Sequence, residues 1–177
     1  MSGNPIPTSI GTIASRRDIV TAATAVGAIA VAALPAQAQG TPEHLHIFNP
    51  PSISKPVGFS HVAEVLAGRT VYIAGQVGLD PSGKMAGAPG DFRAQATQVF
   101  ENLKAALTAV GGTFEHLVKL NAYFTDIPAQ VPIFRELRDR YLSKDTPPPS
   151  TFVQVVRLAR DNALLEVEAI AVLPPRA

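Results

Sequence analysis

"LLEVEAIAV", Leu164 to Val172, has the composition of a strand buried on both faces, apart from two charges. Seven of its nine residues are apolar and the other two are glutamates. A strand sends alternate side chains to opposite faces. Leu165, Val167, Ala169 and Ala171 therefore share one face, and Glu166, Glu168, Ile170 and Val172 share the other. The two carboxylates fall on one side, about 7 Å apart along the strand. Either they form a solvated strand face, or one of them is aimed into a pocket. The stretch is otherwise too apolar for one covered face. Helices of the same chain can cover one side, and other subunits are expected to cover the second.

Upstream, Phe92, Ala96, Val99, Phe100, Leu103, Ala106, Leu107 and Val110 recur at helical spacing. Asp91 can cap this helix and Gly111-Gly112 stops it. Leu117 to Thr125 reads as a strand. A second helix is expected from about Gln130 to Leu142, with Ile133, Phe134, Leu137 and Tyr141 as its apolar stripe and Pro132 confined to its first turn. "TPPPS", Thr146 to Ser150, is an extended link. Thr151 to Leu158 and Ala163 to Leu173 are the last strands. Ser60 to Val65 and Thr70 to Val77 read as a hairpin closed by Leu66 to Arg69, and Ile47-Phe48 as a short edge strand. "LDPSGK", Leu79 to Lys84, is turn chemistry. The order β-β-β-α-β-α-β-β implies one mixed sheet covered by two helices.

Before this domain lies Arg16-Arg17, then an uncharged Ala-rich run from Ile19 to Leu34, then Ala36-Gln37-Ala38. A charged start, an apolar core and an A-x-A site make a secretory signal. The paired arginines favour the twin-arginine route, although Thr21 stands where a lysine is usual. The 16-residue run is short of the ~20 residues needed to span a bilayer, so no stable membrane anchor is expected. Residues 1–38 are read as a signal peptide cleaved after Ala38, and 39–177 as a single domain in the periplasm.

Removing 38 of 177 residues leaves 139, enough for one ordinary core. Setting aside Arg16, Arg17 and Asp18, Lys plus Arg falls from 15 to 13 and Asp plus Glu from 14 to 13. The mature domain is formally neutral, whereas a nucleic-acid binder carries a basic excess. No nucleic-acid partner is expected. The absence of cysteine removes disulfides, thiol catalysis and thiolate metal sites. His44 and His46 lie in a segment expected to be flexible, while His61 and His116 are isolated. No metal site follows from their spacing, and no phosphate loop or nucleophile elbow is present. No cofactor is expected. Glu166 and the Ser150-Thr151 pair are the groups that stand out.

"VYIAGQVGLDPSG" (Val71 to Gly83), "QVFENLKAALTAVGGTFEHLVKLNAYFTD" (Gln98 to Asp126) and "LLEVEAIAV" together resemble the Rid family, also called YjgF or L-PSP, the reactive intermediate deaminases. The resemblance spans roughly Asn49 to Val172. It implies a chorismate-mutase-like α+β fold with a mixed β-sheet and two helices on one face. It also implies a homotrimer with small-molecule pockets at the subunit clefts. In the deaminase branch, an arginine on the strand after the second helix clamps a substrate carboxylate. A glutamate on the last strand positions water for attack on a C=N carbon. That glutamate maps onto Glu166.

Ser150 stands at the position of the family arginine. Arg157 has the opposite strand parity and lies about 23 Å further along, so it cannot replace it. Phe59, Ala74, Phe152 and Phe134 stand where tyrosine, serine, cysteine and asparagine are frequent. Without the arginine, binding of a carboxylate-bearing imine is expected to fall by at least ~10-fold. The expected function is hydrolytic deamination of a small neutral or apolar imine or enamine. Glu166 is the catalytic group, and Phe59, Ala74, Gly75, Phe134, Ser150, Thr151 and Phe152 bind substrate. The alternative is a non-catalytic, periplasmic, trimeric binder of a small ligand.

Overall fold

The computed structural model describes residues 44–176. The expected leader and its cleavage site lie outside these residues. Six strands and two helices are formed: β1 Leu45–Phe48, β2 Val62–Val65, β3 Arg69–Val77, α1 Phe92–Ala109, β4 Leu117–Phe124, α2 Ile127–Arg138, β5 Ser150–Gln154 and β6 Leu165–Leu173. β3, β6, β4 and β5 form a four-stranded sheet in that order, and β1 and β2 form a separate antiparallel pair. No helix among the described residues is long and apolar enough to cross a membrane.

β6 runs between β3 and β4 and is antiparallel to both. The period-two reading of this strand holds. Leu165, Val167, Ala169 and Ala171 are all at most 3% exposed, while Glu166, Glu168 and Ile170 are half-buried on the other face. The helices cover the first face. Val99, Phe100, Leu103 and Leu107 of α1 and Phe134 and Leu137 of α2 join it in one buried cluster.

α1 follows the sequence closely. Asp91 Oδ1 accepts from the Ala94 amide at 2.9 Å. At the other end, the Gly112 amide donates to Leu107 O at 2.8 Å and the Gly111 amide to Thr108 O at 3.0 Å. These two bonds satisfy carbonyls that the ending helix would otherwise leave open.

α2 begins three residues earlier than the position of Pro132 suggested. Its cap is Asp126, whose Oδ1 accepts from Ala129 N at 3.2 Å. The Gln130 side chain folds back, accepting from the Asp126 amide at 3.0 Å and donating to Thr125 Oγ1 at 2.9 Å. Pro132 sits inside the helix on its exposed side. The lost backbone bond is outweighed by a well-satisfied first turn.

The hairpin expected between residues 60–65 and 70–77 does not form. β2 pairs with β1, from Leu45 opposite Val65 to Phe48 opposite Val62. β3 pairs with β6 instead. The short loop at Gly68 joins two different sheets. His46 is in β1, not in a flexible segment. His116 caps the 3₁₀ turn at Phe114–His116, where its Nδ1 accepts from the Thr113 amide at 3.0 Å. β5 stops at Gln154, so the parity argued for Arg157 lapses. Arg157 lies beyond the strand and pairs with Asp161 at 3.1 Å.

The second sheet face is covered in part by the chain itself. Val172 and Val118 are buried with Leu45 of β1, and Ala63 of β2 packs against them. The rest of that face stays open, with Tyr72 79% and Val153 40% exposed.

Candidate functional site

The opening pair of glutamates separates into two chemically different groups. Glu168 Oε1 accepts from Asn121 Nδ2 at 2.8 Å and from the Tyr123 hydroxyl at 3.0 Å. Its charge is held by two donors from the neighbouring strand. The Glu166 carboxylate accepts no hydrogen bond from any described residue. The Glu168 bond, with burial and the charges of Glu168 and Glu166 behind it, raises the Tyr123 pKa above the ordinary tyrosine range.

Glu166 is placed by a bulge in β3. Ile73 pairs with Ala169 and Gln76 with Val167, so Ala74 and Gly75 together oppose one residue of β6. Bulges re-aim side chains and interrupt pairing. A Cβ on Gly75 would overlap Glu166 Oε1 and lie 2.8 Å from its Cδ. The glycine is therefore the space in which the carboxylate rests, as a strand glycine often marks a close approach.

The helix side anchors this strand. Gln95 of α1 is fully buried. Its Nε2 donates to Asn162 O at 2.9 Å and its Oε1 accepts from the Leu164 amide at 2.9 Å. Asn102 Nδ2 donates to Val77 O at 3.1 Å and Leu79 O at 2.9 Å. Both strands that set the Gly75–Glu166 geometry are thus tied to one helix.

The residues expected to form one pocket fall on two faces of the sheet. Ala74, Gly75, Thr151 and Glu166 lie on the open face. Thr151 Oγ1 accepts from Lys119 Nζ at 2.8 Å there. A 340 Å³ cleft on this face is lined by Ala74 and Tyr72 of β3, Lys119 and Asn121 of β4, and Glu168 and Ile170 of β6. Ser150 and Phe152, with the opposite parity, turn towards α2. They line a 190 Å³ cavity with Val57, Gly58, Phe59, Arg135 and Arg138. Gly58 and Phe59 also wall a larger, 640 Å³ groove that reaches Lys55 and Lys144.

Phe134 is not a pocket residue in this chain. It is fully buried, with ring centroids 5.3 Å from Phe100, 5.2 Å from Phe124 and 5.3 Å from Phe152. Its volume belongs to the core. Phe152 packs edge-on to Phe124 and Phe134 and closes the inner end of the cavity.

The sequence reading missed the cations beside Ser150. Arg138 is 7% exposed. Its Nη1 donates to Gly58 O at 2.7 Å, and its Nε and Nη2 donate to Asp139 Oδ1 at 3.1 and 2.8 Å. Gly58 has φ +74°, and a Cβ there would lie 2.7 Å from Arg138 Nη2. The loop closes on the guanidinium because position 58 carries no side chain. Arg135 is one turn away, at the same cavity. Among the described residues, no cluster of three or more His, Cys, Asp or Glu is placed to hold a metal ion.

Comparison with known proteins agrees with this architecture. The family model described as Endoribonuclease L-PSP matches residues 52–173. Protein DfrA of Myxococcus xanthus is 39% identical over 119 residues, covering 67% of this chain and 88% of its own. A 2-iminobutanoate/2-iminopropanoate deaminase of Dermatophagoides farinae is 33% identical over 132 residues, covering 72% of this chain and 95% of its own. The crystal structure of a Rid-family protein of unknown function from Yersinia pestis is 34% identical, with a TM-score of 0.67 over 73% of this chain and 99% of its own. RidA from an Antarctic Psychrobacter is 32% identical, with a TM-score of 0.55 over 75% of this chain and 100% of its own. With its mixed sheet, two helices on one face and a family match over most of its length, the chain belongs to the Rid family, also called YjgF or L-PSP.

Proposed function

We propose that the protein is a Rid-type hydrolytic deaminase of small imines or enamines, with Glu166 positioning and deprotonating the attacking water. The observation that carries this reading is the contrast within one strand. Glu168 is committed to Asn121 and Tyr123, whereas Glu166 accepts from no described residue and rests over the Gly75 bulge. A carboxylate with no donor committed to it, on the open face of the sheet, can take a water proton. In the reaction, Glu166 accepts a proton as the water oxygen bonds to the C=N carbon. The nitrogen is protonated, the C–N bond breaks, and ammonia and a carbonyl compound leave. The deaminase relative from Dermatophagoides farinae supports the reaction class. The formal neutrality of residues 39–177 speaks against RNA as substrate.

The proposed assembly is a homotrimer, supported by the part of the sheet face that stays open in the single chain, with Tyr72 79% exposed. In that assembly the Glu166 carboxylate and the Ser150 cavity that complete one site are proposed to come from different chains. Residues 1–38 are proposed as a cleaved twin-arginine leader that delivers the domain to the periplasm. The expectation of a neutral substrate assumed that nothing cationic stands near Ser150. Arg135 and Arg138 remove that premise.

The placement of Ser150 and Glu166 on opposite faces also favours a second reading, a non-catalytic binder of small ligands. Ammonia release from enzymatically generated 2-iminobutanoate separates the two. The deaminase reading expects release well above the spontaneous rate. Release at the spontaneous rate, with the ligand still bound, establishes the binder.

A further inference from the structure

We propose that Arg135 of α2 is the residue that binds a ligand's carboxylate in the Ser150 cavity, so that this chain recognises small 2-imino or 2-oxo acids through a helix rather than through β5. The inference deepens the proposed function and rests on the same cavity.

Three observations carry it. Arg135 lines the cavity, and its guanidinium forms no hydrogen bond or ion pair with any described residue. Its position in the last turn of α2 complements the helix dipole, but that role needs no cavity and leaves all five guanidinium donors open. Beside it, Arg138 is held by Gly58 and Asp139 through three N–H groups, which leaves one on each terminal nitrogen. Asp139 pairs with Arg138 at 2.8 Å and so offsets much of that guanidinium's charge. Arg135 is thus the cationic side chain of the cavity that carries no ion pair among the described residues.

The rest of the wall fixes the ligand's shape. Phe59 and Phe152 offer apolar surface, and Ser150 Oγ spends its proton on Pro148 O at 3.0 Å. That hydroxyl can then only accept, which suits the N–H of an imine. At 190 Å³ the cavity is smaller than the ~300 Å³ at which drug-sized pockets begin. A short carboxylate with an adjacent C=NH or C=O and one or two methylenes matches these groups.

The test uses the purified full chain, titrated with sodium 2-oxobutanoate and, separately, with the uncharged 2-butanone. Binding is followed by nitrogen–proton correlation spectra. The wild type should bind 2-oxobutanoate with shifts at residues 57–59 and 150–152. Arg135→Gln should weaken that binding by about tenfold or more, Arg135→Lys should recover part of it, and 2-butanone should not distinguish the variants. Equal affinity of wild type and Arg135→Gln would overturn the proposal, as would shifts confined to the Lys119–Glu168 face or no binding at all. The hydrolase reading fails separately: Arg135-dependent binding without ammonia release sustains the anion site and removes the catalysis. Ammonia release with binding indifferent to Arg135 does the reverse.

Discussion

The Glu166 carboxylate lies over Gly75, in the space that a Cβ on that residue would fill. The strand bulge and the free carboxylate are one device: Ala74-Gly75 opens the strand, and Glu166 from β6 occupies the opening. The atom that would be met is the far end of a flexible side chain. Gly75→Ala should therefore leave stability within about 0.5 kcal/mol of wild type, as surface substitutions usually do. It should lower kcat on 2-iminobutanoate by roughly 10–100-fold, because a catalytic group moved by about 1 Å loses that much. Thermal unfolding and ammonia release measure the two quantities. Lost activity with unchanged stability is the expected pair.

Gln95 ties α1 to the chain entering β6 through two hydrogen bonds at 2.9 Å. Gln95→Leu keeps the volume and removes both bonds. It leaves the Leu164 amide and the Asn162 carbonyl without partners, and should destabilise the protein by about 1–3 kcal/mol. Urea unfolding reports it as a lower midpoint with an unchanged slope.

Tyr123 should titrate above the ordinary tyrosine range, with its bond to Glu168 as the first cause. The raised folded-state value fixes the sign. The stability linked to Tyr123 is fully present below the unfolded tyrosine pKa of about 10. It is lost as pH rises through the higher folded value. Glu168→Gln should bring the Tyr123 midpoint down, followed by the tyrosinate absorbance against a Tyr123→Phe reference. An unchanged midpoint would mean that Glu168 does not hold the hydroxyl in solution.

The proposed assembly and export have their own checks. Light scattering on the purified protein should give three times the chain mass, and a stable monomer at micromolar concentration would remove the composite site. Arg16→Lys with Arg17→Lys should abolish export, and continued export would exclude the twin-arginine route.

How much of this was legible in the sequence follows from the range of each interaction. α1 was readable because its stripe, its Asp91 cap and its Gly111-Gly112 stop are all local. The two faces of β6 were readable from alternation. β4 carries the same signal, with Lys119, Asn121 and Tyr123 alternating against buried Leu120, Ala122 and Phe124. The pairing of β2 was not readable, because β1 is short and the true partner of β3 lies about 100 residues on. The start of α2 was hidden by Pro132, whose cost is met by the Asp126–Gln130 exchange. The resemblance placed Ser150, Thr151 and Glu166 in one pocket. Parity on β5 divides them, since neighbouring strand residues cannot share a face. The cations at the Ser150 cavity depend on residues 57–59 folding over α2, a contact that the spacing of Arg135 and Arg138 does not encode.

The proposed hydrolysis depends on the free carboxylate of Glu166 activating water. Its most direct test is the single-turnover rate of 2-iminobutanoate hydrolysis by wild type and Glu166→Gln, with 2-oxobutanoate affinity measured on both. An amide keeps the size and cannot take the proton. A general base contributes about 10²–10⁴-fold. The Glu166→Gln rate should be lower by at least about 100-fold, a loss that sits in the chemical step and not in 2-oxobutanoate binding. A Glu166→Gln rate equal to that of wild type would contradict it and leave Glu166 as a solvated strand residue.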